Sequence, residues 1–261
     1  MVKRGVKMKV AAQMYTVRNF ARTPEEIRES LRKVKEIGYN YFQNSGLGEI
    51  DPYLLKDYAD EFGLGMCATH VFFDRITQDT ENVIKEHKIW NSKHVSLPAM
   101  PQQFRGSTDG VKAFIKEIMP AAIKIREAGL KLSYHNHRFE FEKSGGRTFY
   151  EQLAESTDPE FLGLLVDVYW VQSGGASPSL LIKKYAERID VIHLKDMAVK
   201  NNEPIMAEVG RGNIDWLEIK KVCEESGVEY AAVEQDICES DPFDSLKISF
   251  DYIKEMEICT I

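Results

Sequence analysis

Residues 162–197 read LGLLVDVYWVQSGGASPSLLIKKYAERIDVIHLKDM. An apolar, β-branched run comes first (162–171), a turn-rich gap follows, and Ser177-Pro178 then opens a helical stretch. A second apolar run closes the segment (190–197). Pro at the first helical position behind a Ser cap is a helix-start signal. Two strands joined through a helix form a βαβ unit, and such units build parallel sheets. Outward from this segment the same scheme recurs. Strand signals stand at KVAAQMY (9–15), YNYFQNS (39–45), LGMCATHVFF (64–73), KHVSLPA (93–99), LKLSYHNH (130–137) and EYAAVEQD (229–236). Helical patterns follow each. Thr23-Pro24 opens one that Gly38 closes, and Asp51-Pro52 opens one that ends at Gly63. Others run from Thr77 to about Ser92, from Ser107 to Gly129, through TFYEQLAEST after the fifth strand, from Asn213–Trp216 onward, and from Asp241-Pro242 to about Met256.

That makes eight strand–helix units in 261 residues, about 33 each, the size of a closed (β/α)8 barrel. A doubly wound open sheet is the competing arrangement, and it carries a Gly-rich phosphate turn after its first strand. Here that position reads QMYTVRNF, without glycine. No linker or low-complexity boundary divides the chain, so a single TIM-barrel domain over 1–261 is expected.

Composition narrows the function. Hydrophobic residues at 43% and charged ones at 29% describe an ordinary globular chain. A net charge of -7 argues against a nucleic-acid surface, which needs a basic field. No apolar run approaches the ~18–20 residues of a membrane span. The start, MVKRGVKMKVAAQMY, lacks the long apolar core and cleavage site of a leader. Four scattered cysteines (Cys67, Cys223, Cys238, Cys259) form no CxxC pair and suit a reducing compartment. A cytoplasmic protein is expected.

In such a barrel the chemistry sits at the C-terminal strand ends. Three consecutive strands end an apolar run in an ionisable group: Asp167, His193 and Glu234. The strand before them ends in Tyr134-His135-Asn136-His137, with Glu140 beyond, and His70 ends the third. A buried charge is normally paired or metal-bound. Carboxylates with an imidazole suit Mn²⁺, Mg²⁺ or Co²⁺, and Zn²⁺ as well. The bland alternative is an Asp–His–Glu ion-pair cluster that holds no metal. Strand periodicity puts His135 and His137 on one face and Asn136 on the other. Lys195 shares the face of His193, as a carbonyl-polarising group or a partner of Asp196. Trp170 is a candidate pocket wall, or plain packing. Arg211, between two glycines, is a candidate contact for substrate oxygens or a phosphate, or an ordinary loop residue. His87 and His94 read as structural.

The chain resembles the sugar phosphate isomerase/epimerase family, the xylose-isomerase-like barrels that include inosose dehydratases and some endonucleases. The resemblance rests on QMYTVR, YHNHRFEF, LLVDVYW, VIHLKD, VGRGNIDW and AAVEQD, in family order over nearly the whole chain. It implies one divalent metal held by Glu, Asp, His and Glu from successive strands, Mn²⁺ foremost. Asp167, His193 and Glu234 match the last three. The first departs: a gap-free match to the epimerases' E-P-x-N-R-F-E sets Tyr134 at the metal glutamate and Glu140 at a substrate contact. Glu140, His135 and His137 are the candidates for that ligand. The Y-H-x-H form is closer to the inosose dehydratase and keto-glycoside-processing branches.

The resemblance implies a sugar or keto-sugar isomerase/epimerase that removes a proton α to a carbonyl and forms a metal-bound enediolate. Glu234 is one proton-transfer group, with His137 or Glu140 on the opposite side. His70, His135, Asn136, Trp170, Lys195 and Arg211 are the substrate-binding candidates. Expulsion of a β-substituent from an inosose or a 3-keto-glycoside makes a dehydratase or lyase instead. A non-catalytic sugar-binding or partner subunit is the reading from another class. Nucleic acid is not an expected partner, and a homo-oligomer remains open.

Overall fold

The computed structural model describes residues 8–260, so the reading of the N-terminal stretch 1–7 lies outside the described residues. Eight parallel strands close into a barrel: β1 (Lys9–Gln13), β2 (Tyr41–Asn44), β3 (Gly65–His70), β4 (His94–Leu97), β5 (Lys131–His135), β6 (Leu162–Asp167), β7 (Ile189–Leu194) and β8 (Tyr230–Val233). Each pairs with its neighbours in sequence, and β1 closes the ring against β8. The closed barrel, not the open sheet, is what the chain forms.

The helices that follow the strands begin where the cap chemistry says. Thr23 and Glu26 form a reciprocal capping box on Pro24–Ile37, and Thr148 and Glu151 do the same on Phe149–Glu155. Asp51, Ser177 and Asp241 each cap a helix with Pro at its first turn. Gly38 ends the first helix at φ 124°, where an added Cβ would stand 2.6 Å from the Phe250 ring.

Strand alternation decides what enters the barrel. On the outward face Val10, Ala12, Phe42, Val166, Ile192, Leu194 and Val233 join the core beneath the helices. On the inward face Ala11, Cys67, Ala68, Leu165, Val191 and Ala232 form a separate apolar cluster in the lower half, with Tyr41 and Tyr230 against it. One inward step further along the strands the interior turns polar, with Gln13, Gln43, Asp167, His193 and Glu234 all buried. Asp167 and His193 are paired in register, as are Gln13 and Gln43.

Several boundaries differ from the sequence reading. The run 9–15 leaves the strand after Gln13 and winds as Met14–Phe20. The run 64–73 ends as a strand at His70, and Phe73–Gln78 is a separate short helix before Thr80–Trp90. The run 162–171 ends at Asp167, whose side chain caps a helical turn, Val168–Ser173. Two antiparallel ribbons stand where loops are expected. One joins Lys143–Ser144 to Arg147–Thr148, the other Asp196–Lys200 to Glu203–Ala207. Their two-residue turns, Gly145-Gly146 and Asn201-Asn202, sit at positive φ throughout, as hairpin turns of this type require. No described helix is long and apolar enough to cross a membrane.

Candidate active site

The inward polar layer lies at the C-terminal strand ends, beneath a cavity of about 500 Å³. His135, Asp167, His193 and Glu234 offer one ligand atom each, all within 4.8 Å of one another, and His70, His135 and His193 form an overlapping group. Of the three candidates for the first ligand, the fold brings His135 to the cluster. Glu140 is kept away by its own partners. It is 1% exposed, its Oε1 accepts from the Tyr134 hydroxyl at 2.6 Å, and its Oε2 accepts from the His137 backbone N–H at 2.9 Å. Burial pushes the Glu140 carboxyl up to about 7.

The residues around the cluster orient its donors. His193 Nε2 lies 2.7 Å from Gln43 Oε1, an acceptor, so that nitrogen carries the proton. In the neutral ring Nδ1 is then a lone pair aimed at the carboxylates; burial favours that form, but Glu234 and Asp167 outweigh it and raise the ring's pKa above the ordinary histidine value. It stands 2.9 Å from Glu234 Oε2 and 3.7 Å from Asp167 Oδ2, yet neither Nδ1 nor Oε2 makes an aligned hydrogen bond. His135 repeats the device: Nδ1 donates to the Pro98 carbonyl at 2.8 Å, and Nε2 lies 3.5 Å from Asp167 Oδ2. Gln13 steadies Glu234 through a 2.6 Å bond to Oε1. Imidazoles fixed by a second hydrogen bond, with their free lone pairs converging on carboxylates, are the donor set of a metal site. The residues fit a divalent ion.

Lys195 sets a positive charge directly against the cluster's carboxylates. Its Nζ lies 3.0 Å from Asp167, 2.8 Å from Glu234 and 2.5 Å from Asp236. Burial favours the neutral amine, but Asp167, Glu234 and Asp236 outweigh it and hold the ammonium well above the ordinary lysine range. Burial likewise opposes ionisation of Asp167 and Glu234, and the Lys195 charge outweighs it and holds both well below the usual carboxylate range. Burial and the Glu234 charge push Asp236 up. Three carboxylates against one ammonium leave two negative charges, which a divalent cation would balance.

His70 and His137 line the cavity and carry ring nitrogens without partners, Nε2 and Nδ1. Burial lowers both, His137 to about 3, so both imidazoles are neutral at pH 7. Trp170 lies behind the site, its ring 5.4 Å from that of His137 and 5.5 Å from Lys195 Nζ. Two substrate-binding candidates are drawn elsewhere. Asn136 spends its amide on the backbone of Asp167, accepting from N–H at 3.0 Å. Arg211 is exposed on a loop that wraps Asp196, not the cavity. Asp196 accepts from four backbone N–H groups and the Trp216 indole, so Lys195 is not its partner. Arg105, unforeseen in the sequence, is the arginine on the cavity wall. Gln13, Gln43 and Asp236 were also missed. Each is a polar residue in or just past an apolar strand, two positions from another inward residue, and that spacing was the available signal.

The sequence profile described as the xylose isomerase-like TIM barrel matches residues 31–256. The chain belongs to that family. Among curated relatives, the inosose dehydratase of Geobacillus kaustophilus is 26% identical over 191 residues, 64% of this chain and 61% of that protein. The chain thus spans under two thirds of that relative's length. A sugar phosphate isomerase/epimerase structure from Parabacteroides distasonis superposes with a TM-score of 0.80 at 22% identity, covering 97% of this chain and 100% of that one. The structure of the IOLI protein with a zinc atom superposes with a TM-score of 0.72 at 14% identity, over 96% and 98% of the two chains.

Proposed function

We propose that this protein is a divalent-metal-dependent enzyme of sugar or keto-sugar metabolism that removes a proton α to a carbonyl, as an isomerase or epimerase does. The observation that carries the reading is the convergence of the His135 Nε2 and His193 Nδ1 lone pairs with Asp167 and Glu234 beneath the cavity. His135, Asp167, His193 and Glu234 would hold the ion. When bound, the ion polarises a carbonyl and stabilises the negative charge that proton removal creates. Mn²⁺ suits two carboxylates and two imidazoles, and Zn²⁺ suits them as well; the zinc in the IOLI neighbour supports the latter.

The chain's own groups then divide the work. Glu234 lines the cavity, and His137 lines it from just past the end of β5 with a neutral ring. Two proton-transfer groups on different walls suit removal of a proton from one face and return to another position or face. Lys195, held between Asp167, Glu234 and Asp236, sets a positive charge behind the cluster, and burial strengthens each of these contacts. Free cysteines, three of them buried, are consistent with a cytoplasmic enzyme.

A second outcome of the same first step is loss of a β-hydroxyl, a dehydration. The inosose dehydratase relatives favour it; the proton that Glu234 takes from the α-carbon is then passed to the β-hydroxyl, which leaves as water. One experiment tests both. The protein with Mn²⁺ is incubated in D₂O with inososes, ketoses and 3-keto-glycosides. Deuterium at the carbon next to the carbonyl is expected with one class, and an accompanying enone marks dehydration. Asp167→Ala, His193→Ala and Glu234→Ala should each lose bound metal and exchange together. Unchanged metal content in all three variants overturns the proposal.

A further inference from the structure

We propose that the Lys195 ammonium is the resident counter-cation of the metal cluster, which an entering divalent ion displaces onto Asp236. The inference rests on the reading of His135, Asp167, His193 and Glu234 as the metal ligands. Lys195 Nζ touches Asp167 through Oδ2 and Glu234 through Oε2. Those are the same two oxygens that stand nearest His193 Nδ1. The ammonium and a metal therefore contend for the same lone pairs. An ion bound at about 2.0–2.2 Å from those oxygens would sit a few ångströms from Nζ, where two positive charges repel strongly in a buried site.

The third contact provides the way out. Asp236 Oδ2 lies 2.5 Å from Nζ, and its side chain is 25% exposed where those of Asp167 and Glu234 are 0% and 4%. Asp236 also lines the cavity. Lysine carries its charge on a flexible four-carbon stem, so a small swing releases two carboxylates while the third keeps the ammonium. The move never strips Nζ of an anionic partner. Arg18 holds the Asp236 backbone carbonyl at 3.0 Å, which fixes this acceptor to the barrel rim. A Lys195 that is only a structural ion pair makes a different prediction, because its removal would then leave the metal ligands less well placed and metal binding no tighter.

The test is Mn²⁺ titration of the chelator-stripped protein by calorimetry. Lys195→Met and Lys195→Gln are expected to bind Mn²⁺ about tenfold more tightly or better, since the competing charge is gone. Asp236→Asn is expected to weaken Mn²⁺ binding about threefold or more, and to do so less in the Lys195→Met background, because its cost acts through the displaced ammonium. Lys195→Gln keeps the length and polarity of the side chain and carries the test should Lys195→Met fail to fold. Wild-type binding that neither Lys195 variant tightens overturns this inference alone. Absence of Mn²⁺ binding in wild type and variants alike overturns the metal reading and this inference with it.

Discussion

The Glu140→Gln substitution isolates a single buried proton. Glu140 is 1% exposed, and burial raises its carboxyl from an ordinary 4.5 to about 7 in spite of the Tyr134 and His137 hydrogen bonds and the Arg105 charge, which favour ionisation. Between those two values the folded protein holds a proton that the unfolded chain has released. Stability therefore falls as pH rises through this window. Integrated from about pH 5 to about pH 8, the loss is on the order of 2–3 kcal/mol, or about 5 °C in Tm for a chain of this size. Gln cannot titrate, yet its amide can donate to the Tyr134 oxygen while its carbonyl accepts from His137 N–H. Other titrating groups are common to both proteins and drop out of the difference. Urea unfolding at a series of pH values should therefore show Glu140→Gln gaining on the order of 2–3 kcal/mol on wild type across that range. A difference that stays flat with pH, or that shrinks as pH rises, refutes the argument.

Asp196→Ala should cost about 3–5 kcal/mol, because five donors lose a buried anionic acceptor; hydrogen exchange at Gly210 and Gly212 should accelerate, and a loss under about 1 kcal/mol would contradict the assignment. Gln43→Leu frees the His193 tautomer and should weaken Mn²⁺ binding about 10–100-fold, measured by calorimetry; unchanged affinity would show that the bond at Nε2 has no hold on the ligand. His137→Gln should lower the rate of deuterium exchange about 10²–10⁴-fold with metal content intact, and a rate within a few-fold of wild type would remove His137 from the proton path.

The barrel was legible because it is written twice, once in the strand–helix alternation and once in the caps. Thr23, Asp51, Ser177 and Asp241 each announce a helix start by a local interaction that no distant residue can override. The ribbons were not read because their strands are short and polar, although Gly145-Gly146 and Asn201-Asn202 carried the turn signal. The convergence of the strand-end acids and histidines is legible for a physical reason: ionisable groups that end neighbouring inward rows must meet one another inside a closed barrel. Their partners were harder. Gln13 and Gln43 are neutral and sit within strands, and only the closure of β1 and β2 into the ring sets them against Glu234 and His193. Asn136 turns to the backbone of Asp167 and Arg211 lies exposed on the Asp196 loop, because sequence position gives proximity to the rim but not the competing backbone partner or the loop's course.

The first ligand turns on parity along β5. A gap-free match to the epimerase pattern sets Tyr134 where a metal glutamate would be, but Tyr134 and its neighbour point to opposite faces. Tyr134 is fully buried on the outer side against Phe114, at 5.8 Å between ring centroids, and its hydroxyl holds Glu140. His135 therefore points inward, and no shift of side chains along a regular strand can exchange the two. Replacing a carboxylate by an imidazole there also changes the charge balance. Glu, Asp, His and Glu carry three negative charges, whereas His135, Asp167, His193 and Glu234 carry two, the charge of one divalent ion. Lys195 and Asp236 then form a neutral pair of their own, 2.5 Å apart at the cavity wall. A site balanced in this way could bury a divalent ion without residual charge.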